Sequence, residues 1–349
     1  MSKMDCHNIL SLLAEFRQLG IAEQIDYKKF YLYSIITHST AIEGSTVTEI
    51  ENQLLFDEGI TSPNRTLQEQ QMNLDLKAAY EKAFAMAMRH ENLSVKMLCD
   101  LSAIVMKNTG SSYNTISGSF DASKGELRLV NVTAGFGGRS YMAWQKVPKA
   151  LEEFCIWLNE KRKTVNADDI MAAYSLSFEA HLRLVSIHPW VDGNGRMSRL
   201  VMNCLQVEAG LIPTIVYKEH REGYIRALVD SRDNESLEPF IDFMTGELEY
   251  FLQQNISNYK KSLQEDDFPE SSPESSQKQL KSSQKSSQKI LRMLSEDGNI
   301  TTQQLADRLG ISRRAVANHI RKLQEQGLLR RVGADRGGYW EVLSGDRKV

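Results

Sequence analysis

Between residues 261 and 288 the chain carries almost no apolar side chains, running through Ser271-Ser272-Pro273-Glu274-Ser275-Ser276-Gln277 and Lys281-Ser282-Ser283-Gln284-Lys285-Ser286-Ser287. Such a stretch cannot bury enough surface to offset the entropy lost on ordering. The 349 residues must therefore fold as two pieces, and that length suffices for more than one core. We read 259–287 as a flexible linker, 288–349 as a small domain, 1–110 as an N-terminal helical region and 111–258 as the core that bears the chemistry.

The larger piece reads as mostly helical. Leu76, Tyr80, Ala83 and Ala87 recur at helical spacing, Thr46 and Glu49 form a plausible capping box, and Met1 to Gly20 is an amphipathic helix candidate without the layout of a secretion signal. From Gly118 to Pro148 that periodicity stops. Leu127, Leu129 and Asn131 alternate with Arg128, Val130 and Val132, then Gly135-Phe136-Gly137-Gly138 precedes Ser140 to Trp144, a β-hairpin pattern. No apolar stretch approaches a membrane span, so the expected compartment is the cytoplasm. Cys6, Cys99, Cys155 and Cys204 show no CxxC pairing and indicate neither a zinc site nor a disulfide framework.

The chemistry concentrates in His188-Pro189-Trp190-Val191-Asp192-Gly193-Asn194-Gly195-Arg196-Met197-Ser198-Arg199. Pro189 and the Gly193-Asn194-Gly195 turn forbid regular structure, while Met197, Leu200, Val201, Cys204 and Leu205 mark one buried helical face. Asn194 is a good N-cap, so a helix is expected to begin there. Unpaired N–H groups at a helix start, approached through glycines, make an anion site, which places phosphates at Gly193 to Gly195. Arg196 and Arg199, three residues apart, can reach one phosphate tail. Asp192 beside phosphates argues for an intervening Mg²⁺, and His188 is a ready proton acceptor for a hydroxyl. Taken singly, each residue could equally be a loop histidine, an ordinary turn or a solvated face. The set at this spacing points to a nucleoside triphosphate site.

The string resembles the signature of the Fic family, His-x-Phe-x-Asp/Glu-Gly-Asn-Gly-Arg-x-x-Arg, whose members mostly transfer AMP from ATP to a hydroxyl of a target protein. Every chemical position matches; Trp190 stands where the family usually has Phe, a change expected to adjust packing only. The resemblance implies His188 as general base, Asp192 as Mg²⁺ ligand, Gly193, Asn194 and Gly195 as anion hole, and Arg196 and Arg199 as phosphate clamps, Arg196 also acting in catalysis. Gly195, where the kinase-like branch carries Lys, implies AMP transfer over phosphate transfer.

Upstream, Ser39-Thr40-Ala41-Ile42-Glu43-Gly44 resembles the family's inhibitory motif, Ser/Thr-x-x-x-Glu-Gly/Asn. That match places Glu43 opposite Arg199, where a carboxylate would occupy the guanidinium meant for the γ-phosphate. Read without it, Ser39 to Gly44 is a helix end with Tyr31, Ile35 and Ile42 on the core face, and the two readings are compatible. On the residues alone the hairpin could equally be purely structural; the resemblance implies a flap that pairs with the backbone of a target segment. Arg221-x-x-Tyr224, followed by Ala227-Leu228, resembles a downstream stretch of Fic proteins, which implies Tyr224 at the border of the adenine pocket; a packing role at helical spacing is the alternative. His181 and His38 read as structural.

After the linker, Ile290, Leu291 and Leu294 start a helix, Thr301-Thr302 cap a second, Ser312 caps a third carrying Val316, Ile320 and Leu323, and two strands flank Ala334 to Gly338. This resembles a winged helix-turn-helix. Residues 288–349 hold twelve Lys or Arg against seven Asp or Glu, a local net of +5 that leaves −8 for the rest of a chain with net charge −3. Arg313, Arg314, Asn318 and Arg321 lie on or beside the helix that such a motif places in the major groove, which admits DNA contact; a protein-docking unit with a solvated basic face is the alternative. The expected fold class is mainly α: a Fic-type helical domain with a β-hairpin flap, plus a small C-terminal winged helix-turn-helix domain. The expected function is autoinhibited AMP transfer from Mg-ATP to a Tyr, Ser or Thr of a target protein or of the chain itself. A nucleotide-sensing DNA-binding regulator and a de-AMPylating enzyme stand as alternatives, and homo-oligomerisation is left open.

Overall fold

In the computed structural model two units separate at residue 267, and each is described by itself. Described are residues 3–24, 26–134, 139–166 and 169–266 of the first and 290, 293–294, 298, 300–309, 316, 320, 323–324, 329–332 and 339–342 of the second. The first unit runs α1 (Lys3–Gln18), α2 (Tyr27–Ile42), α3 (Glu49–Glu58), α4 (Leu67–Met88), α5 (Val95–Val105), β1 (Ser112–Thr115), β2 (Gly118–Asp121), α6 (Val147–Thr164), α7 (Ile170–Ile187), α8 (Asn194–Glu208), α9 (Arg221–Asp233) and α10 (Glu238–Asp266). The linker expected from residue 259 thus begins inside a helix, because Tyr259 still packs against the core.

Helix α8 is the axis of this unit. Met197, Leu200, Val201, Met202 and Leu205 are buried on several of its faces, and it packs between α7 and α4 with α5 and α2 at its N-terminal half. A helix buried nearly all round is held by its neighbours rather than by propensity. Its polar residues must then find partners inside: Asn203 Nδ2 donates to Thr214 O (2.9 Å) and accepts at Oδ1 from Tyr80 of α4 (2.8 Å). On the far side α1 lies on α10, with Ile9, Leu13 and Phe16 in the core and the Phe16 and Phe251 rings 6.0 Å apart. Among the described residues no helix is long and apolar enough to cross a membrane.

Several local expectations shift. The capping box is Thr48 with Glu51, two residues beyond the expected pair; Thr46 instead bonds Glu69 of a second box at Thr66. The residue capping α8 is Gly193, at φ 80°, and no side chain caps the helix. Asn194 turns its amide back to Trp190, accepting from its N–H (3.1 Å) and donating to its carbonyl (2.9 Å), so it closes the loop instead of the helix. The regular hairpin is β1–β2, paired antiparallel from Ser112↔Asp121 to Thr115↔Gly118. The 127–144 hairpin is present in short form, with one antiparallel bridge, Thr133↔Ser140, extended by Tyr141 N–H to Val132 O (3.0 Å). Leu127 to Asn131 do not continue that ladder, because Arg128 bends inward. Gly135 to Gly138 lie outside the described residues.

The second unit contains α11 (Thr302–Leu309) and an antiparallel pair, β3 (Leu329–Val332) with β4 (Tyr339–Val342), in register Leu329↔Val342. Ile290, Leu294, Ile300, Leu305, Val316, Ile320, Leu323 and Leu329 form its core, the expected apolar spacing. Thr301 caps α11 by accepting from Gln304 N–H (3.2 Å).

Candidate active site

The loop between α7 and α8 is shaped by two left-handed residues. His188, at φ 53°, ends α7, and Gly193 opens α8; a Cβ on Gly193 would stand 2.8 Å from Met106 Sδ, so both backbone angle and space require glycine there. Trp190 anchors the loop, buried, with Nε1 donating to Gly125 O (3.1 Å). A strained turn over-determined by packing presents His188 in a fixed direction. His188 Nδ1 lies 3.2 Å from Val185 O. A carbonyl only accepts, so this contact puts the proton of the neutral ring on Nδ1 and leaves Nε2 as the lone pair. The ring stacks on Tyr141 of the hairpin at 3.8 Å between centroids. Burial pushes the imidazole down to about 4, and the nearby Arg128 charge adds to that against the Val185 bond and the Asp192 charge. The ring is an uncharged base at neutral pH.

Arg196 and Arg199 lie side by side on the first turns of α8, both buried. Their surroundings differ. Arg199 is fully engaged: Nε donates to Ser39 Oγ (2.9 Å), Nη2 to Ser39 O (2.9 Å) and to Glu43 Oε1 (2.6 Å), and Nη1 to Tyr224 OH (3.3 Å). Arg196 uses one nitrogen, Nη2, which meets Met106 Sδ at 3.2 Å and Asp192 Oδ1 at 3.4 Å, and its Nε and Nη1 are buried without a partner. Unmet buried donors of a permanent cation cost folding free energy unless an anion meets them. Asp192 is mostly exposed and accepts from its neighbour Gly193 N–H (2.5 Å). Among the described residues no group of three or more His, Cys, Asp and Glu can hold a metal. A single carboxylate fits Mg²⁺, which keeps waters and takes phosphate oxygens for the rest of its shell.

Glu43 closes the C-terminal end of α2, and its carboxylate lies at the start of α8: a Cβ on Gly195 would meet Glu43 Oε1 at 2.4 Å. Burial acts to raise this carboxyl, but the Arg199 charge and hydrogen bond, with Arg196 and Arg221 behind them, outweigh it and hold the group below the usual carboxylate range. It is therefore an anion seated where the helix start and two arginines favour one. Arg221 Nε of α9 donates to Ile42 O (2.8 Å), tying down the last turn of α2. Behind it, Thr40 Oγ1 donates to Asn73 Oδ1 (2.8 Å), Asn52 Nδ2 to Thr37 Oγ1 (2.7 Å) and to Asn73 Oδ1 (2.8 Å), and Asn73 Nδ2 to Ser45 Oγ (3.2 Å). This buried network fastens α2 to α3 and α4.

The structure thus gathers His188, Asp192, Gly193, Asn194, Gly195, Arg196, Arg199, Ser39, Glu43 and Gly44 at one place, Gly44 supplying the left-handed exit from α2 at φ 101°. Tyr224 is there too, but not on an open wall. It is buried, with its hydroxyl between Arg199 and His181 Nε2 (3.0 Å), and backs the guanidinium. Sequence reasoning missed Arg221 as a latch, the Asn52–Asn73 network and Arg128, since no pattern distinguishes a polar residue that will be buried. Arg313, Arg314, Asn318 and Arg321 lie outside the described residues.

Residues 92–206 match the Fic/DOC family, and residues 284–330 match a winged helix-turn-helix DNA-binding family. Curated relatives include protein adenylyltransferase fic-1 of Caenorhabditis briggsae, 24% identical over 73% of this chain and 47% of the relative, and protein adenylyltransferase Fic of Drosophila persimilis, 28% identical over 62% and 39%. The chain spans less than half the length of these relatives. Among solved structures, a Fic domain containing signaling protein from Bacteroides thetaiotaomicron aligns with TM-score 0.59 at 21% identity, over 73% of this chain and 98% of that one. A Fic family protein from Desulfovibrio desulfuricans covers 100% of this chain and 98% of its own, with TM-score 0.56 at 18% identity.

Proposed function

Because residues 92–206 match the Fic/DOC family, we propose that the chain is a protein adenylyltransferase restrained by its own Glu43, moving AMP from Mg-ATP to a Tyr, Ser or Thr hydroxyl of a target protein or of itself. One observation carries the reading. Arg199 is saturated by Ser39, Glu43 and Tyr224 while Arg196 beside it keeps two buried donors unmet, so the site retains cationic donors for an anion beyond what Glu43 and the more distant Asp192 supply.

In this mechanism the hydroxyl gives its proton to His188 Nε2 as its oxygen bonds to the α-phosphorus. The bond from that phosphorus to the bridging oxygen breaks, and pyrophosphate leaves. Arg196 and the N–H groups at Gly193 to Gly195 stabilise charge on the transferring and leaving phosphates, and Arg199, once released by Glu43, holds the far end. Asp192 would hold Mg²⁺, which supplies charge neutralisation across the phosphates. The relatives' name, protein adenylyltransferase, supports AMP as the transferred group. The match of 284–330 to a DNA-binding winged helix-turn-helix family supports duplex DNA as a partner of the second unit. The deciding experiment incubates the chain with Mg²⁺ and ATP labelled at the α- or the γ-phosphate. Label from the α-position on protein is expected; label from the γ-position, or none even after Glu43→Gly, overturns the assignment.

Two further outcomes follow. A His188 depressed to about 4 is neutral throughout the ordinary range, so the rate should show no histidine limb from about pH 6 to 8 and fall only as pH drops toward that value, when the lone pair is protonated. A pH–rate profile with a midpoint near an ordinary histidine value of about 6.5 would contradict this. Arg221→Ala removes the bond to Ile42 O and should raise basal transfer about five- to tenfold by loosening the end of α2, read as label incorporated at saturating ATP.

A further inference from the structure

Arg128 is almost fully buried, and no carboxylate pairs with it among the described residues. Its guanidinium is spent on three backbone carbonyls. Nε donates to His188 O (2.7 Å), Nη1 to Val130 O (2.7 Å) and Nη2 to Met142 O (2.6 Å), while its own N–H donates to Pro189 O (3.1 Å). These carbonyls belong to three separate segments: the turn that carries the base, the ascending limb of the 127–144 hairpin and its descending limb. A charge taken from water is tolerated only where its donors are met, and the planar fork fixes the angles among its acceptors. Among the described residues the hairpin has one ladder bridge, with Tyr141 N–H to Val132 O (3.0 Å) beside it and Trp144 N–H to Asn131 Oδ1 (3.0 Å) at its base, and the Arg128 bonds are what tie that base to the His188 turn. Tyr141, beside Met142, stacks on the His188 ring.

We propose that Arg128 is a positioning residue that locks the hairpin and the His188 turn into one rigid body, so that a hydroxyl held against the hairpin arrives in register with Nε2. This rests on the transfer chemistry proposed above. It departs from a general stabilising role because the same guanidinium that holds both hairpin limbs also holds the carbonyl of the one residue whose direction matters to proton removal. A displacement of about 1 Å at such a group is enough to cost about 100-fold in rate.

The test uses the full chain with Glu43→Gly as parent and adds Arg128→Ala. We expect kcat for α-label transfer to fall about 100-fold while KM for ATP moves less than about threefold. Millimolar guanidinium should restore a measurable part by refilling the vacated site. Amide exchange should rise together in 128–134, 139–142 and 188–190, with α4 and α5 unchanged. If Arg128→Ala does not fold, Arg128→Lys, which keeps the charge but cannot span three carbonyls, should show the same split between kcat and KM. Transfer within about threefold of the parent, a loss confined to KM, or faster exchange in the hairpin without the His188 turn would overturn the proposal. A parent that transfers no label refutes the adenylyltransferase reading instead, and the exchange arm then decides this one alone.

Discussion

Replacing His188 with alanine is expected to lower AMP transfer by about 10²- to 10⁴-fold, the range that a positioned base contributes, while leaving ATP affinity within about threefold. The asymmetry follows from what the ring touches. It is stacked on Tyr141 and hydrogen-bonded to Val185 O through Nδ1, and neither contact faces the arginines of α8. Removing it takes away the proposed proton acceptor and leaves the proposed phosphate-binding surface of Gly193 to Arg199 intact. Label incorporation in the Glu43→Gly background measures the first quantity and calorimetric ATP titration the second. Retention of more than a tenth of the parent rate would show that another group takes the proton.

Glu43→Gly should act in the opposite direction, raising transfer by about 10- to 100-fold. A hydrogen bond between charged groups contributes about 1.5–3 kcal/mol, and each 1.4 kcal/mol is a factor of ten. Glu43 is not central to its helix; it closes α2 at φ −89°, a conformation glycine adopts freely. The cost falls elsewhere. Arg199 keeps its bonds to Ser39 and Tyr224 but loses the one carboxylate that pairs with it among the described residues, and a buried cation robbed of its partner destabilises the fold by about 3–5 kcal/mol. The variant should therefore melt lower than the parent without nucleotide and gain more from ATP, since phosphate replaces the lost carboxylate. A thermal shift with and without Mg-ATP reads both. Adding Arg199→Ala should cancel the gain in transfer, because the released guanidinium is what the substitution provides.

What the sequence made legible was the local chemistry of α8 and its approach. Glycines at 193 and 195, apolar positions at 197, 200, 201 and 205, and a proline after the histidine each act over a few residues, and their consequences lie within the segment. The Glu43–Arg199 pair, 2.6 Å apart across 156 residues, is different. No spacing rule connects them, and only the likeness of Ser39 to Gly44 to an inhibitory motif joined the two ends. Where neither locality nor likeness helped, the reading drifted. Alternation at 127–132 describes a strand, but Arg128 finds three carbonyls by turning inward, and its bonds override the ladder. Thr46 and Thr48 both precede a glutamate by three, and tertiary contact with Glu69 decides which one caps. Asn194 has the preferred residue type for a cap, yet the Trp190 backbone claims its amide.

The polar network that pins α2 through Thr37, Thr40, Asn52 and Asn73 bears on tempo. A helix fastened by several buried hydrogen bonds leaves its seat only by local unfolding, on microseconds to seconds, whereas a side chain at the helix end swings in nanoseconds. The restraint proposed for Glu43 is therefore expected to work as a catch and not as a plug, with the side chain leaving Arg199 while α2 stays docked. A protein of this build should leak at a steady low rate from the instant ATP is added, with no lag, and whatever activates it need only bias a torsion.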